Sequence, residues 1–298
     1  MSLFDKLVSQ AITGHGELSS LRAVVEKELL HHDIMREMSK AGLLDRLTFI
    51  GGTCLRACYG SNRLSEDLDF TGGRDFSRRS LENLGDILVD RLQVKYNLDI
   101  EVYSPVQQTG RVATWKLKVI TRPLKKHLPT QRIHIDICAV PSYDCRPMVL
   151  LNHYGIEMGT SGLIIQAQSL EEILADKIVA FACRPNRLKN RDLWDIGWLK
   201  QQNIKLPVDL VSRKVLDHGH THTEFLSLLS ARIRQLNDAP DVRDEFIHEM
   251  RRFLPVEQVK QTVAKKEFWA YLANLVQTES ELVNRILDNA SNEVDFKM

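Results

Sequence analysis

The stretch Thr48 to Thr71, TFIGGTCLRACYGSNRLSEDLDFT, decides the fold. It reads as strand, helix, loop and strand, and it closes on Asp67 and Asp69 with a single leucine between them. Side chains on a strand alternate faces, so the two aspartates point one way while Leu68 and Phe70 point the other. Carboxylates held side by side repel each other unless positive charge lies between them. A hard divalent cation that prefers oxygen ligands, Mg2+ above all, is the natural partner. The apolar side then anchors the strand, and the carboxylate side faces a cleft.

The residues around the pair point the same way. Leu47 to Ile50 is a short apolar run suited to a buried strand, and Gly51-Gly52 ends it. Glycines here let the backbone turn sharply and approach a ligand closely. Thr53 is placed to cap the helix that follows, with its hydroxyl accepting from a first-turn N–H. The start of such a helix attracts phosphate through its unpaired N–H groups and dipole. Gly60-Ser61 closes the helix, and Arg63 and Ser65 lie just before the aspartates. Gly51, Gly52, Thr53, Ser61, Arg63 and Ser65 are therefore candidate nucleotide-binding residues. A chance acidic pair on a surface βαβ unit is the plainer alternative, and the glycine pair and the Gly-Ser step weigh against it.

The segment GGTCLRACYGSNRLSEDLDF, residues 51–70, resembles the signature of the AbiEii-type nucleotidyltransferases, the toxin half of type IV toxin–antitoxin pairs. That family belongs to the polymerase-β-like nucleotidyltransferase superfamily. The resemblance is clearest over residues 49–70 and again over 171–199. It implies an α+β fold, with a nucleotidyltransferase domain built on a mixed sheet and a mainly helical C-terminal domain. The expected division is an N-terminal helical segment at 1–45, a catalytic core at 46–165 and a helical domain at 166–298.

Ile133 to Val140, IHIDICAV, holds the third acidic candidate. Ile133, Ile135, Ile137 and Ala139 share one face, and His134, Asp136, Cys138 and Val140 share the other. An aspartate in so apolar a strand is costly to bury unpaired. Either a nearby metal or a basic residue at a sheet edge relieves that cost. By resemblance to the superfamily, Asp136 completes a triad of metal ligands with Asp67 and Asp69.

Leu170 to Arg184, LEEILADKIVAFACR, puts Leu170, Ile173, Leu174, Ile178 and Phe181 on one helical stripe. Lys177 falls on or beside that stripe, where an ammonium is expensive to bury. It either reaches back to solvent or meets phosphate in a cleft. The resemblance makes Lys177 a motif residue that contacts the triphosphate. Further on, Arg191-Asp192 and Asp195 match the family's R-D-x-x-D element. Asp192 and Asp195 share a helix face. They either orient Lys177 and arginines or bond the base or ribose of the nucleotide.

Elsewhere the chain is helical in pattern. Residues 3–45 carry a stripe of Leu18, Leu21, Val25, Leu29 and Leu30, and Phe76 to Asn97 repeats leucine at three or four. Leu98 to Tyr103 and Val112 to Thr121 read as strands. After Gln201 the segments 208–216, 224–236, 241–253 and 256–287 all show helical spacing, divided by Pro207, Gly219, Pro240 and Pro255.

The 298 residues suffice for one or two domains, and 43% hydrophobic with 27% charged residues excludes global disorder. A net charge of +1 gives no overall signal for nucleic acid, so any basic surface is local. No apolar run approaches the ~20 residues that cross a bilayer. The start, MSLFDKLVSQAITG, lacks the apolar core of a secretory signal. Five cysteines without a framework spacing fit free thiols in the cytoplasm, with Cys54 and Cys58 as packing residues.

The expected chemistry is nucleotide transfer from an NTP to an acceptor hydroxyl, with Asp67, Asp69 and Asp136 holding two Mg2+ ions, Mn2+ being an acceptable substitute. The resemblance makes the tRNA 3′ end the acceptor and a cognate antitoxin the protein partner, with no membrane involved. Two alternatives stand beside it. One is transfer to a protein side chain or small molecule, as in an AMPylator; the other is a non-catalytic nucleotide- or antitoxin-binding module.

Overall fold

The computed structural model describes residues 2–105, 111–122, 130–185 and 188–295, with side chains up to residue 288. The chain divides into two units. The first is Met1–Gln168 with Phe253–Pro255, and the second is Ser169–Arg252 with Val256–Met298.

In the first unit, α1 (Leu3–Gly14) and α2 (Arg22–Lys40) precede β1 (Thr48–Ile50), α3 (Gly51–Tyr59) and β2 (Leu68–Thr71). Then come α4 (Leu84–Tyr96), β3 (Ile100–Tyr103), β4 (Val112–Val119), β5 (Gln131–Cys138), β6 (Cys145–Val149) and β7 (Ile164–Gln168). The described strands form one mixed sheet in the order β3-β4-β5-β2-β1-β7-β6. β2 runs antiparallel to β1 and parallel to β5, and β1 runs parallel to β7. This bears out the α+β class with a mixed sheet.

Alternation decides which face of the sheet is covered. Ala113, Trp115, Leu117 and Val119 on β4, Ile133, Ile135 and Ile137 on β5, and Leu68 and Phe70 on β2 are all buried. The intervening residues Thr114, Lys116, Lys118, His134, Asp136 and Asp69 are half-buried or exposed. α2 packs against β5 and α4, and α4 packs against β3. Each large apolar side chain taken from water on this face contributes about 1.5–3 kcal/mol. Phe49 and Phe70 meet across β1 and β2, with ring centroids 5.2 Å apart.

α2 is enclosed on nearly every side and therefore buries charges, each of them paired. Glu26 accepts from Thr121 Oγ1, Arg122 Nη2 and Gln131 Nε2. Asp33, fully buried, pairs with Lys95 and Arg36 and accepts from the Tyr96 hydroxyl.

The second unit contains α5 (Leu170–Cys183), α6 (Asn190–Gln201), α7 (Val208–Asp217), α8 (His222–Asp238), α9 (Val242–Met250), α10 (Val256–Gln261) and α11 (Lys266–Asp295). α5 packs against α6, α7 and α8. Ser169 caps α5 by accepting from the Glu172 N–H at 3.1 Å, and Thr221 with Glu224 forms a capping box on α8.

Three sequence expectations are corrected. The helix read over 76–97 starts as a 3-10 turn at Arg78–Leu81, and α4 proper begins at Leu84. The segment read as one helix over 256–287 is broken between α10 and α11. β6 and β7 were not anticipated. Both are short; β6 carries Pro147 and buries none of its residues, and β7 sets an exposed Ile164 beside the buried Ile165, so its hydropathy does not follow its alternating burial.

Candidate active site

β2 places the acidic pair. Asp69 lies within the strand and Asp67 immediately before it. In the parallel ladder with β5, Asp69 is the register partner of Asp136, while Leu68 pairs with Ile135 and Phe70 with Ile137. Register partners in a sheet point to the same face, about 5 Å apart along the hydrogen-bonding direction. Asp69 and Asp136 therefore project together from the open face. Thr114 flanks Asp136 on β4, and Ile50 flanks Asp69 on β1.

Asp67 is held differently. Its Oδ1 accepts the backbone N–H of His134 at 3.0 Å, and His134 Nδ1 lies 3.5 Å from the same oxygen. β5 thus fixes Asp67 from the strand that also carries Asp136. Sequence reading placed His134 on the Asp136 face but assigned it no role; this contact depends on strand register.

The helix after β1 starts at Gly51, whose φ of +76° suits glycine alone. A Cβ there would lie 3.0 Å from Asp69 Oδ2. The N-terminus of α3 thus abuts the Asp69 carboxylate. Gly60 ends the helix in the left-handed region at φ +78°, with its N–H and that of Ser61 returning to Arg56 and Leu55 carbonyls.

Thr53 is not the cap. Ile50 occupies that position, and no side chain caps α3. The Thr53 hydroxyl instead meets Ser65 Oγ at 2.5 Å and donates to the Asp67 carbonyl. The helix begins three residues earlier than a threonine cap requires, which turns Thr53 toward the loop before β2. Ser61, Arg63 and Ser65 are buried in this loop, with Arg63 Nη1 donating to the Leu64 carbonyl at 3.2 Å.

The donor set fits a hard divalent cation. Asp136 Oδ1 is buried and, among the described residues, has no hydrogen-bond partner. A carboxylate oxygen in that state is expensive without a cation or donor. Its register partner is a second aspartate, and all the donors are oxygens, the ligand type of Mg2+. Among the described residues no three His, Cys, Asp or Glu side chains are gathered into one ion-holding group.

The second unit carries a separate constellation. Lys177 is buried, and its Nζ lies 2.6 Å from Asp192 Oδ1 and 2.7 Å from Asp195 Oδ2. Arg184 Nη1 reaches Asp192 Oδ2 at 2.8 Å. Burial works against ionising Asp192, but the charges of Lys177, Arg184 and Lys189 outweigh it and hold that carboxyl well below its ordinary range. Of the two readings of these aspartates, orienting Lys177 is the one the contacts display. Arg191 pairs with Glu249; Arg187 lies outside the described residues. Sequence reading missed a second buried lysine, Lys214, which meets Glu172 at 2.5 Å and Asp176 at 3.2 Å. Cys54 and Cys58 are buried packing residues.

No helix among the described residues is long and apolar enough to cross a membrane. The fold resembles that of MenT4, a nucleotidyltransferase toxin from Mycobacterium tuberculosis. That similarity has a TM-score of 0.51 at 16% identity and covers 93% of this chain and 98% of that one. JHP933 from Helicobacter pylori is also similar, with a TM-score of 0.44 and 20% identity over 90% of this chain and 97% of that one. No curated protein matches the chain. The mixed sheet and the likeness to MenT4 place the chain in a nucleotidyltransferase-type fold. The model of the AbiEii nucleotidyltransferase toxins of type IV toxin–antitoxin systems matches residues 33–274, and the chain belongs to that family.

Proposed function

We propose that the chain moves a nucleotide from an NTP to an acceptor hydroxyl at the 3′ end of tRNA, and so arrests translation in the cytoplasm. The observation that carries this reading is the register pairing of Asp69 with Asp136, whose buried Oδ1 has no hydrogen-bond partner among the described residues. Asp67, Asp69 and Asp136 would hold two Mg2+ ions, or Mn2+ in their place. When bound, these ions neutralise the triphosphate and ease ionisation of the acceptor hydroxyl.

The chain's own residues do the positioning. Gly51 and Gly52 present backbone N–H groups at the start of α3, where a phosphate is favoured. Thr53, Ser61, Arg63 and Ser65 serve the nucleotide by fixing the loop that delivers Asp67. Lys177 enters as the cation for the triphosphate on family resemblance, with Asp192 and Asp195 fixing its ammonium. In the transfer the acceptor oxygen bonds to the α-phosphorus as the bond to pyrophosphate breaks, and the hydroxyl proton leaves to water. Catalysis of this kind is mostly orientation and charge stabilisation. Family membership also supports a cognate antitoxin as partner.

The test is incubation of the purified protein with Mg2+, each radiolabelled NTP in turn, and total tRNA. Label is expected in tRNA with the parent chain and not with Asp67→Ala or Asp69→Ala, and both substitutions should relieve growth arrest on expression. Label in protein instead of RNA would select the AMPylator-like alternative. Toxicity retained by both variants would select the non-catalytic module.

A further inference from the structure

We infer that Glu28 on α2 is a positioning residue for the acidic strand: its carboxylate locks the irregular loop between α3 and β2 that delivers Asp67 and Asp69. This rests on the reading of those aspartates given above.

A connection without regular structure is ordinarily the loosest part of a site. This one is gripped almost residue by residue. The Ser61 carbonyl accepts from Arg56 Nη1 at 3.1 Å, and the Leu64 N–H donates to the Phe253 carbonyl at 2.9 Å. The Ser65 N–H donates to Glu28 Oε1 at 2.9 Å. His31 Nε2 meets the Glu66 carbonyl at 3.0 Å, and Lys27 Nζ meets the Glu66 carboxylate at 2.9 Å. Three residues within one turn of α2 therefore face this loop.

Glu28 is the hub among them. It is 5% exposed. Oε1 takes the Ser65 N–H and shares Arg56 Nε with Oε2 at 3.3 Å, and Oε2 takes the Tyr154 hydroxyl at 2.5 Å. Burial, and next the charge of Glu28, push the Tyr154 phenol well above its ordinary value, so it stays a donor. Arg56 in turn grips Ser61. One buried carboxylate thus ties α2, α3, Tyr154 and the loop together. All of its donors require an acceptor, so glutamine, with one oxygen and one NH2, cannot replace it. Its loss also takes the counter-charge from Arg56, whose side chain is largely covered.

The experiment compares the parent chain with Glu28→Gln and with the milder Tyr154→Phe, which removes one donor and keeps the Arg56 pair. Amide hydrogen exchange is measured across the first unit, Mn2+ binding is followed by electron paramagnetic resonance without nucleotide, and transfer to tRNA is assayed. In Glu28→Gln the amides of residues 61–67 should exchange at least about tenfold faster while β4 and β5 keep their protection. Mn2+ affinity and kcat should each fall about tenfold, with KM for NTP unchanged within about twofold. Tyr154→Phe should act in the same direction by about threefold, and it decides the matter if Glu28→Gln does not fold. Loop exchange that is unchanged in the variants, or accelerated evenly across the unit, overturns the inference. If the parent chain labels no acceptor, the functional reading falls, while the exchange result still decides the role of Glu28.

Discussion

The acidic face of the sheet and the Lys177 cluster both hold charge where water is scarce, yet they are satisfied in opposite ways. On the sheet, Asp136 Oδ1 is buried with no hydrogen-bond partner among the described residues. In the second unit, Lys177 lies between Asp192 and Asp195, and Arg184 completes Asp192. A self-neutralised group stabilises its own unit; an under-satisfied one stores a demand that a ligand can meet. Family motifs alone rank the two equally, and the geometry separates them.

The largest expected contrast is in catalysis. Asp136→Asn should lower nucleotide transfer at least about 10³-fold, roughly 4 kcal/mol of transition-state stabilisation. Its stability should stay within about 1 kcal/mol of the parent, because the change removes an uncompensated charge. Steady-state labelling and thermal denaturation read the two quantities. A large loss of stability would break the comparison by revealing that Asp136 is satisfied within the fold.

Lys177→Met should do the reverse to stability. It removes the ammonium 2.7 Å from Asp195, which is fully buried, and should destabilise the second unit by about 3–5 kcal/mol, seen in denaturant unfolding. A smaller effect would mean that Lys177 is held for a ligand more than for its own helix.

Acid should then separate the units. His32, bonded to Thr160 Oγ1 at 2.8 Å, has its pKa lowered from 6.5 to about 4 by burial first and by His31 next. His31 and His153 move in the same direction. A histidine kept neutral in the folded state contributes stability above its unfolded pKa. That contribution is lost as pH falls from about 6.5 to about 4, because the unfolded chain takes the proton first. For His32 it amounts to about 3 kcal/mol. Asp192, with its folded pKa depressed, contributes stability above about pH 4 and loses it only as pH falls further. Thermal melts between about pH 7.5 and 4.5 should therefore show the first unit weakening while the second holds, and His32→Gln should flatten that dependence.

The smallest effect is expected at Gly51→Ala. The left-handed backbone and the 3.0 Å approach to Asp69 Oδ2 should cost about 1–2 kcal/mol in thermal stability. Transfer should fall by about tenfold, because the methyl crowds the carboxylate side of the strand. Unchanged kinetics would show that the start of α3 is remote from the chemistry.

Much of this was legible before the fold. The alternation in LSEDLDF and IHIDICAV put three aspartates on the polar faces of their strands, and the glycine pair marked the turn beside them. The position of Lys177 on an apolar stripe flagged it as a charge in need of partners, and Asp192 and Asp195 were named as candidates. Thr53 was misread as a cap because a threonine after two glycines satisfies that local rule equally well. β6 escaped notice because it buries none of its residues, and β7 because the exposed Ile164 beside the buried Ile165 hides its alternation from the sequence. Glu28 carried no signal at all, being one acid among several on a long helix.

The division follows from the range of the forces. Periodicity is a property of neighbouring residues, so the sequence by itself determined which side chains share a strand face or a helix stripe. Pairing is a property of residues far apart in the chain. Only the tertiary structure decided that Asp69 sits in register with Asp136, that His134 holds Asp67, and that Glu28 reaches Ser65 across 37 positions. Desolvation makes each of those meetings matter, since a charge removed from water depends on whichever partner the fold brings to it.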